Sequence, residues 1–172
     1  MASAPDPTSP SPAAAPPGRV PSLVARVIAT AGGAGYSPVA PGTCGTVVAV
    51  PLAWALAGVG LPLFATLVVA VTLVAVWAAA TADRAWGSHD SGRIVIDEVA
   101  GYLVTVALVD RSSWLVLGVG FVVFRALDIT KPPPVRAIDE RLPGGWGVVL
   151  DDIGAGLYGL GVMAGLAALG WI

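Results

Sequence analysis

Apolar residues fall along this chain in long runs rather than in the short amphipathic periods of a soluble domain. No charged residue occurs between Arg26 and Asp83. That stretch holds two runs, Thr46 to Gly60 and Leu61 to Thr81, with Gly58 to Pro62 supplying the turn between them. The second is long enough to span a bilayer, for which roughly 20 residues suffice. The first is shorter and is expected to begin nearer Gly42. Val99 to Val109 and Ser112 to Phe124 flank the polar pair Asp110–Arg111, and each reaches spanning length only with the polar residues at its other end. Ile153 to Ile172 is uncharged and again long enough. The pattern predicts an all-α, polytopic helical membrane protein with about four to five short transmembrane helices and its site-forming loops on one face.

Composition agrees. Of the 172 residues, 56 % are hydrophobic and 12 % charged, against about 25 % charged in a soluble domain. The net charge of −2 argues against nucleic acid, which calls for a basic surface. Cys44 is the single cysteine and His89 the single histidine, so an internal disulfide, a cysteine-based zinc site and a multi-histidine zinc site are all excluded. Residues 1–20 are rich in Pro, Ala and Ser and read as a disordered tail, without the apolar core of a secretory signal. Residues 21–172 read as one membrane-embedded domain.

If each run crosses once, the segment before the first run, the loop Ala82 to Glu98 and the loop Arg125 to Asp152 share one face. That face holds Arg19, Arg26, Arg84, Arg93, Arg125, Lys131, Arg136 and Arg141, whereas the other holds Arg111. The excess of basic residues makes the shared face cytoplasmic. Treating Val99 to Phe124 as one long helix would instead put Asp110–Arg111 in mid-membrane.

The same face gathers the chemistry. Asp97–Glu98 and Asp151–Asp152 are acidic pairs set against apolar runs, where carboxylates are costly. On a helix, adjacent Asp97 and Glu98 point about 100° apart, so one could bind metal while the other serves a second ligand or acts as a base. Taken alone they read as carboxylates facing interfacial water. Asp151 and Asp152 follow Pro143 to Gly147 and are expected to begin the last helix, where helix capping is the competing explanation. Arg125, Asp128 and Lys131 are spaced i, i+3 and share a helix face if the helix continues to the prolines at 132–134. They suit either a metal-bound phosphate or a surface ion-pair ladder. Tyr36 to Val50 is a glycine- and proline-rich turn opening a helix, able to cradle an anion or simply to cap the helix. It lacks the lysine of a Walker A loop. Asp83, His89 and Asp90 lie in the loop before Asp97, with His89 a weak candidate for chemistry, and Cys44 has no catalytic role. A small cation-coupled transporter is the alternative function, although carboxylates at helix ends suit interfacial chemistry better than a mid-membrane ion path.

Four segments, YSPVAPGTCGTVVAVPL (36–52), SGRIVIDEVAG (91–101), FRALDITKPPPVRAID (124–139) and GGWGVVLDDIGAGLY (144–158), together resemble the bacterial phosphatidylglycerophosphatase A family in order and spacing. The resemblance runs from about Ala29 to the C-terminus. It implies an integral inner-membrane enzyme. Such an enzyme removes the terminal phosphate of a membrane lipid, phosphatidylglycerophosphate, to give phosphatidylglycerol, and depends on Mg²⁺. The residues carried over are Pro41, Gly42, Thr43, Gly45, Asp97, Glu98, Gly101, Arg125, Asp128, Lys131, Pro132, Gly145, Gly147, Asp151, Asp152 and Gly156. Cys44 and the Pro/Ala tail are departures that leave the activity intact.

On this reading Asp97, Glu98, Asp151 and Asp152 are the metal ligands and, with Asp128 and Lys131, the catalytic groups. Arg125, Lys131, Thr43, Gly45 and Thr46 bind the substrate phosphate. The nucleophile is an activated water or a carboxylate, with water favoured because no aspartyl-phosphatase signature is present. A cysteine-phosphatase mechanism fails because the residue six after Cys44 is Val50, not Arg.

Overall fold

Proline and glycine punctuate the apolar runs, and several helices begin or end at them, although Pro51 lies inside the helix Pro41–Ala55. The computed structural model describes residues 19–88, 91–133, 135 and 144–172. These are all-helical, with no strand among them: α1 (Arg19–Ala29), a 3-10 turn (Ala31–Tyr36), α2 (Pro41–Ala55), α3 (Leu61–Trp86), α4 (Ile96–Thr105), α5 (Trp114–Thr130) and α6 (Gly145–Ala168). Prolines sit in the first turns of α2 and α3, where a missing N–H costs nothing. Gly87, at φ 66°, closes α3 in the left-handed conformation. Of the tail, only Arg19 and Val20 are described, and they begin α1.

Several helices differ from the hydrophobic runs. The first run does start earlier, at Pro41. The last helix starts at Gly145 rather than at the acidic pair, so Asp151 and Asp152 lie in its second turn and do not cap its N-terminus. α4 is ten residues, about 15 Å long, and is buried at every position from Val99 to Thr105. It is the core of the bundle, and α5 is a separate helix beyond a turn. Among the described helices, α3 and α6 are long and apolar enough to cross a membrane. α3 turns Leu63, Val69, Leu73 and Trp77 outward, the arrangement of a helix facing lipid.

Small residues let α4 and α6 cross closely. A Cβ on Gly156 would strike the Gly101 carbonyl, and one on Gly159 would lie 2.7 Å from Thr105 Oγ1. Thr105 Oγ1 donates to Gly101 O at 3.1 Å and reaches Gly156 O at 3.4 Å. Such glycine–threonine contacts let membrane helices approach closely. The approach brings the acidic start of α4 beside the second turn of α6. Phe124 of α5 fills the remaining space over Gly101, and buried Tyr102 donates to Leu117 O at 2.9 Å.

The turns after α2 and α4 meet at the other end of the bundle. Arg111 Nη2 donates to Val59 O at 2.7 Å, and its guanidinium stacks 3.9 Å from the Phe64 ring centroid. Trp54 and Trp114 stack at 5.4 Å at the same end. The charged cluster lies at the opposite ends of α2, α4 and α5.

Candidate active site

Four helix segments converge on one cleft of about 290 Å³. α2 contributes Pro41 and Gly42 from its first turn, and α4 contributes Asp97 and Glu98 from its own. α5 contributes Arg125 and Asp128 near its C-terminus, and α6 contributes Asp151 and Asp152. Lys131 caps α5 in the left-handed conformation, at φ 41°, with its N–H on Leu127 O at 2.9 Å. A non-glycine residue in that region is strained. Here the conformation ends the helix before Pro132 and accompanies a Lys131 Nζ contact to Asp151 Oδ2 at 2.5 Å.

Asp97, Glu98 and Asp152 each offer a carboxylate oxygen, and the three oxygens lie within 4.8 Å of one another. Asp97 is 8 % exposed and Asp152 4 %. Glu98 Oε2 and Asp152 Oδ2 are buried without a hydrogen-bond partner among the described residues. Clustered, buried carboxylates repel one another and lose hydration, so an arrangement of this kind fits a divalent cation. The donors are all hard oxygens, which suit Mg²⁺ among other such ions. Of the four carboxylates expected to bind metal, the structure therefore groups three and sets Asp151 against Lys131.

Arg125 sits between two acids. It forms an ion pair with Asp128 one turn on, and its Nη1 lies 3.7 Å from Glu98 Oε1. Arg125, Asp128 and Lys131 thus all reach the cleft, although Lys131 does so as a cap rather than as a helical residue. Gly42 makes room for this group, because a Cβ there would strike Glu98 Oε1 and lie 3.1 Å from Arg125 Nη1.

Thr43, Gly45 and Thr46 are not among the residues lining the cleft. The expected open turn is already the first turns of α2. Thr46 is fully buried and donates to Gly42 O at 3.0 Å, while Gly45 packs against Val95, 2.6 Å from where its Cβ would lie. Cys44 Sγ lies 3.9 Å from Val39 O, outside the cleft.

Sequence reasoning missed the wall formed by Ala40, Ser91, Gly92, Ile94 and Val148. It also missed what holds that wall. Buried Asp83, near the end of α3, accepts from Ser88 Oγ and from the Ser91 N–H, both at 3.1 Å. A carboxylate is disfavoured at a helix C-terminus, and that mismatch was the available signal. His89, Asp90, Arg136 and Arg141 lie outside the described residues.

Residues 27–167 match the family model of phosphatidylglycerophosphatase A. Phosphatidylglycerophosphatase A of Escherichia coli K12 is 34 % identical over 138 residues, which are 80 % of this chain and 80 % of that protein. The protein of the same name from Haemophilus influenzae is 32 % identical, over 77 % of this chain and 82 % of its own length. A Bacteroides thetaiotaomicron protein named "Putative phosphatidylinositol-3-phosphatase" is 39 % identical, over 80 % of this chain and 90 % of its own. No solved structure is significantly similar to the chain. The protein is an enzyme, a phosphatase, and the chain belongs to the phosphatidylglycerophosphatase A family.

Proposed function

We propose that the protein removes the terminal phosphomonoester of phosphatidylglycerophosphate, giving phosphatidylglycerol and phosphate, in a Mg²⁺-dependent reaction at the cytoplasmic face of a bacterial inner membrane. One observation carries the reading: a carboxylate trio, Asp97, Glu98 and Asp152, shares a cleft with Arg125 and Lys131 in a chain of this family.

Asp97, Glu98 and Asp152 would hold the metal. When bound, Mg²⁺ neutralises phosphate charge and polarises the phosphorus–oxygen bond. Arg125 and Lys131 hold the non-bridging phosphate oxygens, where negative charge is greatest. Asp128 and Asp151 keep those two cations in place before substrate arrives, so little reorganisation is needed on binding. The start of α2 at Pro41 and Gly42 faces the same cleft, and a helix N-terminus favours a bound phosphate.

α3 and α6 span the bilayer, and the shorter α2 and α5 cross beside them around the buried α4. Arg26, Arg84, Arg93, Arg125 and Lys131 belong to the site end and Arg111 to the other. That excess turns the site to the cytoplasm, while the acyl chains stay in the bilayer. The transporter alternative has no support in the relatives, which are named as phosphatases.

A phosphoinositide head group is a second reading, favoured by the name of the Bacteroides relative. The test is phosphate release by purified protein from phosphatidylglycerophosphate and from phosphatidylinositol 3-phosphate, each with Mg²⁺ and with EDTA. Mg²⁺-dependent release mainly from the first is expected. Release mainly from the second would replace the substrate, and release from neither would refute the assignment.

A further inference from the structure

Arg93 lies between two residues of the cleft wall, Gly92 and Ile94, but its own side chain is not part of that wall. Its guanidinium is held outside, 5.9 Å from the ring centroid of Tyr36 and 5.8 Å from that of Trp86. The backbone beneath is fixed: the Arg93 carbonyl presses on Gly35 so closely that a Cβ there would collide with it. The Val95 N–H donates to Ala29 O at 2.8 Å. The residue is exposed, and among the described residues no carboxylate pairs with it. Among the described residues, the two cations that line the cleft, Arg125 and Lys131, each have an acidic partner.

A guanidinium beside aromatic rings keeps its charge and its in-plane N–H donors, which suit a phosphate oxygen pair. Tyrosine and tryptophan are also the side chains that settle at the lipid head-group level. The proposed substrate carries two phosphates. If the terminal one enters the cleft, the phosphodiester joining head group to lipid must stay near its mouth. Consecutive Cα atoms are about 3.8 Å apart, so with Gly92 and Ile94 both in the wall the Arg93 backbone lies at the edge of the cleft.

We propose that Arg93, framed by Tyr36 and Trp86, is a second anion subsite that binds the inner phosphodiester of the lipid substrate. It separates diester-linked head-group phosphates from lipid phosphomonoesters that lack a second phosphate. This inference rests on the function proposed above.

The test compares phosphatidylglycerophosphate with an analogue whose inner phosphodiester is methylated to a neutral triester, using full-length protein in detergent. The wild type should favour the diester by about tenfold or more in kcat/KM, mainly through KM. Arg93→Gln should bring the ratio close to one, and Arg93→Lys should keep part of the preference. Equal ratios in wild type and Arg93→Gln would overturn the subsite, as would equal loss on both substrates, the mark of a purely structural role. Should Arg93→Gln fail to fold, Arg93→Lys decides: an undiminished ratio there overturns the need for a guanidinium. No release from phosphatidylglycerophosphate by the wild type would overturn the function, and the subsite with it.

Discussion

Lys131 and Asp151, twenty residues apart in the chain, meet at 2.5 Å across the gap between α5 and α6. Asp151 is almost completely buried there, while Lys131 keeps about a third of its side chain exposed toward the cleft. Under the proposed function the acid is a holder and the lysine the group that would meet substrate. Lys131→Ala should lower kcat/KM by about 10²–10³-fold, the usual loss for one phosphate- or oxyanion-directed donor. Steady-state kinetics on phosphatidylglycerophosphate checks this, and wild-type efficiency would remove Lys131 from the site.

Gly42 should be intolerant for a reason unrelated to folding. Its missing side chain admits Glu98 and Arg125 to the start of α2. Gly42→Ala is expected to cost about a hundredfold in kcat through misplacement of these groups, with little change in thermal midpoint. Gly118→Ala, where an added Cβ meets nothing within 4 Å, is the matched control and should retain activity.

The α4–α6 crossing predicts a stability effect instead. Gly156→Ala forces a methyl against the Gly101 carbonyl, and overpacking of this kind costs about 1–3 kcal/mol. A lowered unfolding midpoint in detergent is the expected result, together with reduced activity as Asp97 and Asp152 move apart. Gly161→Ala, in open space on the same helix, should leave both unchanged.

Metal binding can be read without turnover. A ligand that binds only the folded state stabilises it by about 2.7 kcal/mol at a hundred times its Kd. Mg²⁺ should therefore raise the unfolding midpoint of the wild type and not that of Asp152→Asn, while Asp151→Asn should retain most of the rise. An equal rise in the wild type and Asp152→Asn would exclude the carboxylate trio as the metal site.

Much of this was legible in the sequence because bilayer-length runs and buried-carboxylate costs are strong one-dimensional signals. The α3 run, the turn at Gly58 to Pro62 and the convergence of two acidic pairs with Arg125, Asp128 and Lys131 could all be read there. The role of α4 could not, because an apolar stretch buried by protein looks like one buried by lipid. Nor could the division between Asp151 and Asp152. They are adjacent and identical, and only the left-handed turn at Lys131 decides which one it meets. Thr43, Gly45 and Thr46 look like an anion-binding turn because the composition of such turns is shared by tight helix starts. The outcome for Gly45 depends on packing against Val95, and that for Thr46 on a hydroxyl bonded within its own helix.

The most direct test of the account is phosphate release from phosphatidylglycerophosphate by wild type and Asp97→Asn, with and without Mg²⁺, on proteins shown to have equal thermal midpoints. The account predicts Mg²⁺-dependent release by the wild type and none above background by the variant. Undiminished release by Asp97→Asn, or wild-type release insensitive to EDTA, would contradict it.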